Sequence, residues 1–116
     1  MTLTFDEICI DAHDMASLAE WWSNALGWPH EVTDDGDIAL RAPKGEGPDW
    51  LFIAVPDDKV VKNRIHFDFR PDDQQAEVDR LIGLGARHVD IGQGNETWVV
   101  LADPEGNEFC ILAASD

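Results

Sequence analysis

Lys62-Asn63-Arg64-Ile65-His66-Phe67-Asp68-Phe69 opens a unit that runs through Leu84-Gly85-Ala86 to Asp103-Pro104-Glu105-Gly106-Asn107-Glu108-Phe109-Cys110. The same order is written once before it: Glu7-Ile8-Cys9-Ile10-Asp11, then Leu26-Gly27-Trp28, then Ala42-Pro43-Lys44-Gly45. Each copy reads as a strand, a helix that stops at Leu-Gly, and further strands joined by Pro/Gly turns. A duplication of this size is expected to build one domain over residues 1–116, with a groove between its halves where a ligand would go.

Outward from that stretch, the local signals repeat the pattern. In Glu7 to Asp11 the apolar Ile8 and Ile10 alternate with Glu7, Cys9 and Asp11, the period of a half-buried strand. Asp14 is a good N-cap, Met15, Leu18, Ala19, Trp22, Ala25 and Leu26 recur at helical spacing, and Gly27 suits a left-handed C-cap. Strands are predicted around 28–33, 37–42 and 50–55, with Asp35-Gly36 as a hairpin turn. Val55 to Val61, with Pro56, reads as the linker. In the second copy Ile65, Phe67 and Phe69 share one strand face, and His66, Asp68 and Arg70 the other. Asp72 with Gln75 resembles a capping box, Val78, Leu81 and Ile82 form the helix stripe, and Gly85 ends it. Strands around 87–91, 97–102 and 108–112 complete the copy, and Asp103-Pro104-Glu105-Gly106 has the chemistry of a tight turn.

The composition narrows the function. With 24 acidic against 8 basic residues the net charge is −16. A surface this negative repels phosphate backbones and anionic lipids, so neither nucleic acid nor membrane is an expected partner. No apolar run approaches a membrane span, and the N-terminus lacks the basic and apolar regions of a signal peptide. Cys9 and Cys110 have no C-x-x-C spacing and are too few for a disulfide scaffold, which points to a reduced cytoplasmic protein.

Three pieces carry a family resemblance: D-x-x-x-x-A-x-W-W-x-x-A-L-G-W from Asp14 to Trp28, K-N-R-I-H-F-D-F at 62–69, and A-D-P-E-G-N-E-F-C at 102–110. With them the chain resembles the vicinal oxygen chelate superfamily (glyoxalase, bleomycin resistance protein and extradiol dioxygenase), and within it the short glyoxalase-like domains. The resemblance implies an α+β fold of two βαβββ modules, about 4–56 and 62–114. They would form a curved eight-stranded sheet around a cleft, with helices on the outer face and a homodimer as the assembly. It also implies four metal-binding side chains, from the first and fourth strands of each module. Those positions fall on Glu7, on His66, on Cys110 and within Leu51 to Val55, where no side chain can bind a metal. No metal and no cofactor are therefore expected. A weaker alternative is zinc held by Glu7, His66 and Cys110.

The candidate site residues follow. Imidazole as a side chain suits acid/base work at neutral pH, and His66 lies on the cleft side, so it is a candidate acid or base, or else a hydrogen-bonded groove residue. Glu7 could act as a base if desolvated, or be a carboxylate in water. Trp50, Phe52 and Trp98 are candidate ligand-binding aromatics, with core packing as the alternative. Asp68 and Arg70 either pair with each other or form a polar contact for the ligand. Cys110 completes the ligand-binding set. The expected function is binding of a small organic molecule in the inter-module cleft without metal. The alternative is a lyase or isomerase of the glyoxalase type using His66 and Glu7.

Overall fold

The computed structural model describes residues 2–90 and 97–114. Residue 91, at the end of the strand expected over 87–91, lies outside them. The chain forms two compact units, Met1–Asp58 and Lys59–Asp116. Each contains one helix and one four-stranded mixed sheet, the βαβββ order read from the sequence. No helix among the described residues is long and apolar enough to cross a membrane.

In the first unit β1 (Glu7–Ala12) leads into α1 (Met15–Leu26), followed by β2 (His30–Val32), β3 (Ile38–Leu40) and β4 (Asp49–Ala54). The sheet order is β1-β4-β3-β2, with β1 and β4 parallel. A parallel pair cannot be closed by a tight turn, so the helix and the β2–β3 hairpin form its crossover. Asp14 caps α1 by accepting from the Ser17 N–H at 3.2 Å, and Gly27 closes it at φ 71°. The turn at Asp35-Gly36 is a three-residue loop rather than the two-residue one its dipeptide suggests. Thr33 N–H bonds Asp37 carbonyl, Gly36 N–H bonds Thr33 carbonyl, and Gly36 takes φ 86°.

Strand register fixes which side of this sheet the helix covers. Ile8 lies beside Trp50, Ile10 beside Phe52, Ile38 beside Phe52 and Leu40 beside Trp50. Trp22 of α1 meets Trp50 edge-on at 5.1 Å, and Trp28 meets it at 5.8 Å. The other face carries Glu7, Cys9 and Asp11 of β1 with Asp49, Leu51 and Ile53 of β4.

The second unit comprises β5 (Asp68–Phe69), α2 (Gln74–Leu84), β6 (Arg87–His88), β7 (Val99–Ala102) and β8 (Glu108–Ile111). Its sheet order is β5-β8-β7-β6, with β5 and β8 parallel. The N-cap of α2 is Asp73, not Asp72: its carboxylate accepts from the Ala76 N–H at 3.1 Å. Gln75, expected in a capping box, instead donates to Asp79 one turn on. Phe69 stacks edge-on with Phe109 at 6.0 Å, and Val78 and Leu81 of α2 are buried.

Asp103 anchors the β7–β8 turn. Its buried carboxylate accepts from the Glu105 N–H, the Asn107 N–H and the Asn107 side-chain amide, all at 2.9–3.1 Å. Gly106 at φ 88° lets the chain reverse. The recognisable Asp-Pro-Glu-Gly-Asn string is thus a turn device, as its residue chemistry predicts.

Candidate functional site

The second unit brings three chemically active side chains together on one face of its sheet. Register pairs Asp68 with Cys110, and His66 lies two residues before Asp68 on the same side. His66 Nδ1 lies 3.2 Å from Asp68 Oδ1 and 3.9 Å from Cys110 Sγ. One ligand atom from each residue falls within 4.8 Å of the others. His66 and Asp68 are exposed, while Cys110 is only 4% exposed and forms the floor beneath them.

The electrostatics keep that floor neutral. Burial pushes the Cys110 thiol up to about 11, and the neighbouring Asp68 charge and its hydrogen bond with the thiol act in the same direction; Lys62 opposes them. At neutral pH the group is a thiol, a poor nucleophile.

A clasp from the preceding segment fixes the approach to His66. Glu108 accepts from Lys59 Nζ at 2.8 Å and from the Asn63 N–H at 2.8 Å, and the Asn63 side-chain amide donates to the Glu108 carbonyl at 3.2 Å. Burial pushes the Glu108 carboxyl up, but the bonds from Lys59 and Asn63 outweigh it, leaving the group below the usual glutamate range. A carboxyl depressed on folding contributes stability that is present above its unfolded value, about 4.3, and is lost as pH falls through the folded one. The stability difference between wild type and Glu108→Gln is therefore expected to be largest near about pH 6 and to shrink towards about pH 3. Urea unfolding of both proteins across that range measures it, and a constant difference would remove the clasp's charge from the account.

The other expected site residues are placed as follows. Trp50 is 4% exposed and Phe52 is 0% exposed, both on the helix-covered side of the first sheet. Their expectation as ligand-binding aromatics is corrected: they are core, packed beneath α1. Glu7 is exposed on the opposite face of that sheet, with the Cys9 thiol 3.9 Å from its carboxylate. It belongs to the first unit and His66 to the second. Asp68 turns to His66 rather than Arg70, whose guanidinium donates to the Ala113 carbonyl at 2.7 Å. Trp98 is 36% exposed, one residue before β7. His66, Asp68 and Cys110 are all expected site residues; what the sequence did not give is that Asp68 and Cys110 meet at one nitrogen of His66, because strand pairing brings Cys110 beside Asp68.

The metal set implied by the resemblance does not fit these residues. On the open face of the first unit, Leu51 lies beside Cys9 and Ile53 beside Asp11, so the fourth strand offers no donor there. Asp49 on that strand is already engaged by the Arg41 guanidinium and the Ala42 N–H. Hard ions need several converging oxygen or imidazole ligands, and Cys110 stands where a carboxylate would.

Comparisons with known proteins agree with this architecture. The family described as "Glyoxalase-like domain" matches residues 7–112. Among solved structures, TnmS3, an antibiotic binding protein from Streptomyces sp. CB03234, superposes with a TM-score of 0.69 at 17% identity, covering 99% of each chain. A glyoxalase/bleomycin resistance protein/dioxygenase family enzyme from Burkholderia phytofirmans PsJN gives 0.68 at 18% identity, covering 91% of this chain and 94% of that one. The glyoxalase I of Leishmania major gives 0.66 at 11% identity, over 97% and 87%. None of the curated proteins compared matches the chain. At these identities the structural likeness speaks for the fold, and the match over residues 7–112 for the family. The chain belongs to the glyoxalase-like domain family, within the vicinal oxygen chelate superfamily.

Proposed function

We propose that the protein binds a small organic molecule at the His66–Asp68–Cys110 cluster of the second unit. The observation that carries the reading is the convergence of His66, Asp68 and Cys110. An exposed imidazole–carboxylate pair above a buried thiol offers directional hydrogen bonds over a soft, uncharged floor. Small-molecule sites use a few such placed polar groups to fix a ligand's orientation. The fold-level likeness to an antibiotic binding protein supports binding as the primary activity. Trp98 supplies an exposed aromatic surface in the same unit and supports an aromatic or amphipathic ligand.

A panel of aromatic and amphipathic small molecules, screened by tryptophan fluorescence in the presence of a chelator, tests the reading. At least one member is expected to quench the emission saturably. His66→Ala and Asp68→Ala should each weaken it about tenfold, or about 1.4 kcal/mol. Trp98→Ala should cost more than about 1 kcal/mol, as truncating an aromatic anchor does. Ligands bound with unchanged affinity by the His66 and Asp68 variants would place the site elsewhere.

A further inference from the structure

Residues 59–70 hold four of the chain's 8 lysines and arginines, Lys59, Lys62, Arg64 and Arg70, against a single acid, Asp68. In a chain of net charge −16 this is a local reversal of sign. Two of the four are engaged: Lys59 donates to Glu108 at 2.8 Å, and Arg70 to the Ala113 carbonyl at 2.7 Å. Lys62 and Arg64 are exposed, and neither forms an ion pair with an acid among the described residues. Lys62 reaches only the Asn63 carbonyl, at 3.5 Å. Their backbone is held in place, because Asn63 between them bonds Glu108 through both its backbone N–H and its side-chain amide. Glu108 stands two residues before Cys110 on β8, so the two cations are carried beside the cluster. The Lys62 charge is felt there, opposing the rise in the Cys110 pKa. Asp68 is already engaged with His66 at 3.2 Å. Val61 and Ile65 bracket the two cations and are 74% and 80% exposed, so apolar surface accompanies the charge.

We propose that the ligand of the second unit is a singly charged organic anion, a carboxylate on an apolar body, with its charge met by Lys62 and Arg64 and its body against Val61 and Ile65. This assignment rests on the His66–Asp68–Cys110 cluster being the ligand site, and it adds the class of molecule the site takes. A guanidinium offers a planar fork that matches a carboxylate, and an ammonium adds a point charge that needs no fixed geometry. Two unpaired cations beside one engaged carboxylate leave a small positive excess. That excess suits one negative charge better than the two of a phosphate ester. The rest of the chain is acidic, so its field repels an anion everywhere else and directs it to this segment. A cationic ligand would instead be drawn over the whole remaining surface and held nowhere in particular.

Three probes of one shape and different charge test it by calorimetry on the full chain: 2-naphthoate, 2-naphthamide and 2-naphthylmethylammonium. The carboxylate is expected to bind about tenfold tighter than the amide, as charge-assisted hydrogen bonds are stronger than neutral ones, and the ammonium weakest. Lys62→Gln and Arg64→Gln alter exposed side chains and preserve folding. Each should weaken naphthoate about three- to fivefold, the upper range for an exposed charge pair, and leave naphthamide unchanged. The double variant should lose the preference for the carboxylate altogether. Lys44→Gln removes an exposed cation from the first unit and should change nothing, which separates a local contact from the net charge. At about 1 M salt, where the Debye length is about 3 Å, the preference should shrink in the wild type. Naphthamide or the ammonium bound as tightly as naphthoate, or a preference that survives the double variant, overturns the assignment. If naphthamide matches naphthoate and His66→Ala weakens both, the ligand site stands and the anion is refuted. If none of the three binds, both fall.

Discussion

Replacing Trp50 with alanine is expected to destabilise the chain by about 3–5 kcal/mol, the range for emptying a buried aromatic site. Trp50 is 4% exposed and touches Trp22 at 5.1 Å, Trp28 at 5.8 Å and Phe52 at 6.4 Å. It joins the first unit's helix to its sheet, so alanine leaves a cavity bounded by rigid rings that cannot collapse into it. In thermal unfolding the loss corresponds to a fall of about 10–20 °C. Trp50→Phe retains most of the ring contacts and should cost less than half as much. A Trp50→Ala protein that melts like wild type but no longer binds a ligand would return Trp50 to the binding surface.

The second large effect is expected at Asp103, whose side chain is only 1% exposed. Its carboxylate is the acceptor for the Glu105 N–H, the Asn107 N–H and the Asn107 side-chain amide. Hydrogen bonds to a charged group contribute more than neutral ones, and donors left unpaired in a buried turn add their own desolvation cost. Asp103→Ala should therefore lose about 3 kcal/mol or more. Asp103→Asn keeps one acceptor oxygen and should retain part of that. The damage should extend to the site, because the turn sets the register of β7 against β8 and hence the position of Cys110. Denaturant unfolding measures the first effect. A loss below about 1 kcal/mol for the alanine variant would mean the turn holds its shape through Pro104 and Gly106 alone.

The features legible in the sequence were those written in neighbouring residues. Asp14 and Gly27 bound α1 as their chemistry demands, and Gly85 ends α2 in the left-handed conformation. The alternation of Ile8 and Ile10 with Glu7, Cys9 and Asp11 gave β1 its two faces, because a strand with one polar side carries its orientation in its own period. Capping was less certain where acids are adjacent: Asp72 and Asp73 offer the same carboxylate, and only backbone geometry selects Asp73.

Trp50-Leu51-Phe52-Ile53 shows where local reading ends. Every residue in that run is apolar, so no period of two marks which side faces the helix. Its orientation is set by pairing with β1 and β3, which places Trp50 and Phe52 under α1 and leaves Leu51 and Ile53 on the other face. The site depended on pairing in the same way. By itself the sequence determined the βαβββ repeat, its helix limits and the polar parity of His66 and Asp68, since each rests on contacts a few residues long. Only the tertiary structure decided that Asp68 lies beside Cys110 and that both meet His66 at one nitrogen, because register between strands distant in the chain is a property of the pair and of neither strand alone.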